Sequence, residues 1–137
     1  MLSTATVRAL DELAQRSRAA HPEGGLLYTF VEAADQSHSM FPKQLAGQRS
    51  AELADDGRAM LAVVLSKSLG HLGCTEADGE SLALADDLMQ RLREDLAFTS
   101  VGTVPDDGDD YCWGATVHMA RESDNRYFSL TLWGSID

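Results

Sequence analysis

From Thr103 to Trp133 apolar and polar residues alternate along the chain on either side of a polar break at Arg121–Arg126. The flanking runs, CWGATVHMA and YFSLTLW, are rich in β-branched and aromatic residues, and a period of two in such a composition predicts a β-hairpin. A turn at Asp124-Asn125, alone or with its neighbours Ser123 and Arg126, pairs Met119 with Leu130 and Val117 with Leu132. Because side chains alternate across a strand, Ala115, Val117, Met119, Phe128, Leu130 and Leu132 then share one face. Gly114, Thr116, His118, Tyr127, Ser129, Thr131 and Trp133 share the other. Burial of the five larger side chains of the first set contributes about 1.5 to 3 kcal/mol each, so that face must dock on something. A lone hairpin is marginal in water, and the segments before it are expected to supply the cover.

Those segments read mainly as helices. Ser3 or Thr4 caps a first helix with Val7, Leu10, Leu13 and Ala14 at helical spacing, which ends near Ala20 before His21-Pro22 and Gly24-Gly25. His21 reads as a loop residue. The next run, LLYTFVEAA (26–34), fits a helical face but has strand composition after two glycines; we read it as a strand that joins the hairpin. Residues 35–43 (DQSHSMFPK) read as a loop, and their neighbouring Asp, Ser and His are not a catalytic triad, whose members meet from separated parts of a fold. Ser50 is the expected cap of a helix that starts AELADD and runs to Gly70, apolar all round between Met60 and Leu65 and therefore central in the core. Thr75 and Asp78 form a capping-box pattern for a further helix with Leu82, Ala85, Leu88, Met89, Leu92 and Leu96 on its buried stripe. Phe98–Val104 would add a short strand and extend the hairpin to a meander. The expectation is an α+β fold: a single domain over residues 1–137, with three to four helices packed on one face of a small antiparallel sheet that includes a C-terminal β-hairpin.

Charge changes the functional picture more than the fold. The chain has 22 acidic against 11 basic residues, a formal net charge of −11. Such a surface repels phosphate backbones, so direct nucleic-acid binding is disfavoured and a basic protein partner is attracted. The excess begins after residue 50: residues 51–98 carry ten acids and four bases, and residues 99–137 carry seven and two. Solubility alone also favours such a charge. The N-terminal MLSTATVRALDE has no apolar run of the kind that leads export, and the longest apolar run, Ala59–Leu65, is far too short to cross a bilayer. We therefore expect a cytoplasmic protein with no membrane association and with Cys74 and Cys112 as reduced thiols.

Motifs for chemistry are few. His71, Cys74, Cys112 and His118 have residue types that zinc uses, but two ligands about forty residues from a short pair is a spacing that chance supplies. In the turn Asp106-Asp107-Gly108-Asp109-Asp110, placing Gly108 at the sixth position of a calcium loop leaves Gly114 at the twelfth, where a glutamate is required. Neither a dinucleotide fingerprint, a phosphate-cradling lysine loop nor a nucleophile elbow occurs. We expect no catalytic residues, no metal and no cofactor. The favoured function is that of an acidic, non-enzymatic interaction protein that binds and inhibits a basic protein, a nuclease or nucleic-acid-binding machine, in the manner of immunity or phage anti-defence proteins. Its expected partner-binding residues are Asp106, Asp107, Asp109 and Asp110, with Tyr111, Tyr127 and Trp133 as aromatic anchors. The alternatives are a small enzyme or ligand-binding domain with His118 and the outer hydroxyls in a pocket, and a homodimer or adaptor that uses the outer sheet face.

Overall fold

A computed structural model of the protein describes residues 1–33, 50–105 and 111–136. In chain order these form α1 (Thr4–Ala20), β1 (Gly25–Ala33), α2 (Asp55–Ser68), α3 (Gly79–Leu96), β2 (Ser100–Pro105), β3 (Cys112–Arg121), a short 3-10 turn (Glu122–Asp124) and β4 (Arg126–Ser135). The fold is α+β: among the described residues, three helices and a four-stranded antiparallel sheet of order β1-β4-β3-β2. The expected loop at 35–43 and the acidic turn at 106–110 lie outside the described residues.

The sheet buries one face. Leu26 of β1, Val101 of β2, Trp113, Ala115, Val117 and Met119 of β3, and Phe128, Leu130 and Leu132 of β4 belong to one core cluster. Leu10 and Leu13 of α1, Leu61, Val64 and Leu65 of α2, and Leu88, Leu92 and Leu96 of α3 complete it. The phenyl rings of Phe30 and Phe128 stack with centroids 6.2 Å apart, which locks β1 to β4. As its all-round apolar run predicts, α2 is central, and Leu61, Ala62 and Leu65 are fully buried. Gly57 does not break it. Residues 25–33 are a strand, which settles the helix-or-strand ambiguity in that run.

The hairpin register differs from the expected one by two residues. Met119 pairs with Phe128 and Val117 with Leu130, closed by Arg121 opposite Arg126. The turn is therefore Glu122–Asn125, with Asn125 left-handed at φ 59°. Arg121 explains the choice. Its Nε and Nη2 donate to the two carboxylate oxygens of Asp124 at 2.9 and 3.0 Å, and its Nη1 donates to the Leu96 carbonyl at the end of α3 at 2.5 Å. An even shift leaves every side chain on its expected face, so the core set is unchanged.

Helix starts also differ from expectation. α3 is capped by Asp78, whose carboxylate accepts from the Ser81 N–H at 2.8 Å, and not by Thr75. Ser81 is fully buried next to Leu82, which is half-buried and packs against the core as expected, and Ser81 Oγ accepts from Ser66 Oγ of α2 at 2.8 Å. Ser50 closes a local turn through the Glu52 N–H, while α2 starts five residues later with no side-chain cap and with Asp55 and Asp56 in its first turn to complement the helix dipole. α1 is capped by Ser3 as expected.

Asp95, near the end of α3, ties α1 down: it accepts from Ser3 N–H and Ser3 Oγ, both at 3.1 Å, and from Thr6 Oγ1 at 2.5 Å. Partial burial works against its charged form, but these hydrogen bonds and the α-amino group outweigh that and hold its carboxyl below the ordinary value. A lowered folded-state value means the contribution is present above the unfolded value, near pH 4, and is lost as pH falls through the folded one. Asp95→Asn should therefore cost roughly 1 kcal/mol at neutral pH, after allowance for solvent screening, and the gap to the parent should close in acid. Thermal melts from pH 7 to pH 2 measure this directly.

Candidate functional site

The residues expected to bind a partner are distributed over two ends of the sheet. Gly114 pairs with Trp133 and Cys112 with Ser135, so Trp133 and the start of β3 lie at the open end of the hairpin. Tyr111 leads into β3 there, is 56% exposed, and its carbonyl accepts from the Ile136 N–H at 3.0 Å. Tyr127 sits at the other end, opposite Ala120 beside the turn. Six residues of strand separate it from Trp133, about 20 Å. Tyr127 keeps only 8% of its surface, and its hydroxyl donates to Asn125 Oδ1 at 3.4 Å. The register puts Tyr127 and Trp133 on the outer face as expected, but they do not form one patch. Asp106, Asp107, Asp109 and Asp110 lie outside the described residues, between the end of β2 at Pro105 and Tyr111.

The outer face itself is less open than its hydroxyl-rich sequence suggests. Ser129 and His118 are 8% and 7% exposed, and Thr116 and Thr131 are half-buried with their hydroxyls 3.0 Å apart. Exposure is concentrated on β1, where Leu27 and Val31 keep 66% and 41% of their surface. Leu27 pairs with Trp133. A leucine beside a half-buried tryptophan at the Tyr111 end makes an apolar patch that the strand reading of residues 26–34 would have revealed had its outward positions 27, 29 and 31 been followed.

The same end of the molecule has a cleft that sequence reasoning missed. Its volume is about 450 Å³, within the range of small-molecule sites, and it lies between α2 and the end of the sheet. Met60 and Val63 of α2 and Trp113 of β3 give it an apolar wall, Cys112 adds a thiol, and Asp56 and Lys67 lie at its two ends, eleven residues or about 16 Å apart along α2. His118 is not among its lining residues. This cleft is on the helix side of the sheet, not the His118 side that the alternative of a ligand-binding domain would use.

Trp113 is held by a small buried network. Its Nε1 donates to Ser68 Oγ at 2.8 Å, Ser68 Oγ donates to the Val64 carbonyl at 2.8 Å, and the His21 ring lies 5.2 Å from the indole. His21 Nε2 is 2.9 Å from the Lys67 carbonyl, and the residue is 7% exposed. The histidine expected in a loop is therefore a buried link between the ends of α1 and α2. Elsewhere, His71 Nε2 is 3.6 Å from Asp78 in an exposed pair, and neither Cys74 nor Cys112 is in a disulfide. Among the described residues, no three His, Cys, Asp or Glu side chains converge on a point that would hold a metal. Arg16 with Glu80, Arg58 with Asp86, Arg91 with Asp87, Arg121 with Asp124 and Arg126 with Glu32 are ion pairs among the described residues. The Arg58 hydrogen bonds hold the Asp86 carboxyl below its ordinary value. No helix among the described residues is long and apolar enough to cross a membrane.

The indole also fixes Gly134 of β4: a Cβ there would lie 2.3 Å from the Trp113 ring. Gly134→Ala should cost about 1 to 3 kcal/mol by overpacking. Gly79→Ala, where an added Cβ meets nothing within 4 Å at the start of α3, should be neutral or slightly stabilising. Urea denaturation of the two variants checks the contrast. No family model, curated protein or solved structure matches this chain.

Proposed function

We propose that the protein is an acidic, non-enzymatic interaction protein that binds and inhibits a basic protein, a nuclease or nucleic-acid-binding machine, as immunity and anti-defence proteins do. The observation that carries this reading is the placement of Tyr111, Trp133 and Leu27 at the end of the sheet from which the Asp106–Asp110 run departs, in a chain of net charge −11. The two kinds of residue have different tasks. Carboxylates steer a cationic partner and mimic the phosphates it would otherwise hold, but their field decays over about 8 Å at physiological salt, and exposed ion pairs contribute little. Aromatic and aliphatic side chains at the patch supply the desolvated anchor.

The test begins with capture of a partner at low and high salt and proceeds to surface plasmon resonance with that partner purified. Changing Asp106, Asp107, Asp109 and Asp110 together to Asn should slow association by tenfold or more at low salt and flatten its salt dependence. Trp133→Ala should leave association nearly unchanged and speed dissociation, with the melting temperature measured alongside to show that the fold is kept. Parent-like kinetics in both variants would place the partner site elsewhere and refute the reading.

A further inference from the structure

β1 is an edge strand of nine residues, GLLYTFVEA, and among the described residues no strand pairs with its free side. Long edge strands are templates for further pairing, and proteins that stay monomeric blunt them with proline, lysine, charge or a covering segment. The opposite edge shows such devices. β2 is six residues long, ends in Pro105, and its Val101 N–H donates to the Ser50 carbonyl at 3.1 Å. β1 has no proline and no lysine, and its one charged residue, Glu32, is already paired with Arg126 and the N-terminal amine. Leu27, Thr29 and Val31 on its outer face are all exposed.

The geometry points to a second copy of this chain as the occupant of that edge. In antiparallel pairing about a two-fold axis through Thr29, all nine residues of β1 overlap with all nine of its mate. Leu27 then faces Val31 of the other copy on the outer face, twice by symmetry, and Thr29 faces itself. Directly opposed side chains on one face are the units that stabilise a sheet, and here both apolar pairs match. A shift of two residues either way would set Thr29 against an apolar side chain and shorten the overlap. A shift of one would turn the second copy over and break the continuous face. Leu27 already neighbours Trp133 across the β1–β4 ladder, so the apolar strip would run from Trp133 through Leu27 to Val31 of the mate. The result is one eight-stranded antiparallel sheet with the helices of both copies on one side, closed by an isologous contact. This contact shares Leu27 with the patch proposed for the basic partner, but its salt dependence has the opposite sign: two copies of net charge −11 repel, so salt strengthens pairing, whereas it weakens attraction to a cation-rich protein.

Sedimentation of the full chain alone, at concentrations up to about 1 mM and at low and high salt, tests the pairing. The parent should reach the dimer mass, with dissociation constants at least severalfold lower at high salt. Thr29→Lys, an exposed position that sets two ammonium groups against each other at the axis, should sediment as a monomer with an unchanged melting temperature. Register is tested in a Cys74→Ser/Cys112→Ser background. Thr29→Cys should cross-link to a covalent dimer on oxidation, because directly opposed strand residues fall within disulfide reach, while Leu27→Cys, about 13 Å from its own copy, should not. A parent that stays monomeric throughout, a dimer unaffected by Thr29→Lys, or cross-linking through Leu27→Cys but not Thr29→Cys would overturn the inference.

Discussion

Burial of Val117, Met119, Phe128, Leu130 and Leu132 beneath three helices is the interaction on which the rest of the molecule depends. These five side chains are fully buried, and at about 1.5 to 3 kcal/mol each they outweigh any ion pair on the surface, where an exposed pair contributes about 1 kcal/mol at most. The polar contacts at the margins of this layer act as locators. At one end the Trp113 indole fills the space over Gly134 and fixes the ends of α1 and α2 through Ser68 and His21. At the other, Arg121 binds the hairpin turn to the last carbonyl of α3 and lies 5.3 Å above the Phe128 ring. Each locator is near a helix C-terminus, where unsatisfied carbonyls favour a donor.

A sheet committed to one core face leaves its second face and its edge for other uses. The outer face has its polar centre drawn in, with His118 and Ser129 nearly buried, while the exposed apolar groups lie along β1 and near the open end of the hairpin. The charge distribution complements this. Arg58, Arg91 and Arg121 pair with carboxylates on their own or adjacent elements, and the acidic residues after residue 50 outnumber the bases there seventeen to six, so most of that excess is left unpaired with arginine. A surface of this kind combines a long-range negative field with small apolar anchors, and the two terms respond to salt in opposite directions.

Much of the fold was legible because the hydrophobic pattern has a strong period. The core face of β3 and β4 follows from alternation alone, and it survives the two-residue error in register because an even slip preserves faces. α2 and α3 follow from their apolar residues, but their starts were misplaced: Ser50 and Thr75 are plausible caps in sequence, and only tertiary packing, with Ser81 meeting Ser66, selects Asp78 for α3. His21 was misread because nothing local reveals that Lys67 and Trp113, more than forty residues later, close around it. The same limit applies to the site. Tyr111 and Trp133 share an end of the sheet, whereas Tyr127 belongs to the turn, and the cleft between α2 and β3 requires a helix and a strand that the sequence keeps far apart.

The central claim is that this sheet has one core face, with Leu130 on it and its neighbour Thr131 on the other. Leu130 is fully buried, and the Thr131 side chain is half-buried against Thr116. Chemical denaturation of Leu130→Ala and Thr131→Ala addresses this most directly. The account predicts a loss of about 2 to 5 kcal/mol for Leu130→Ala and no more than about 1 kcal/mol for Thr131→Ala. Equal losses, or a larger one for Thr131→Ala, would contradict it.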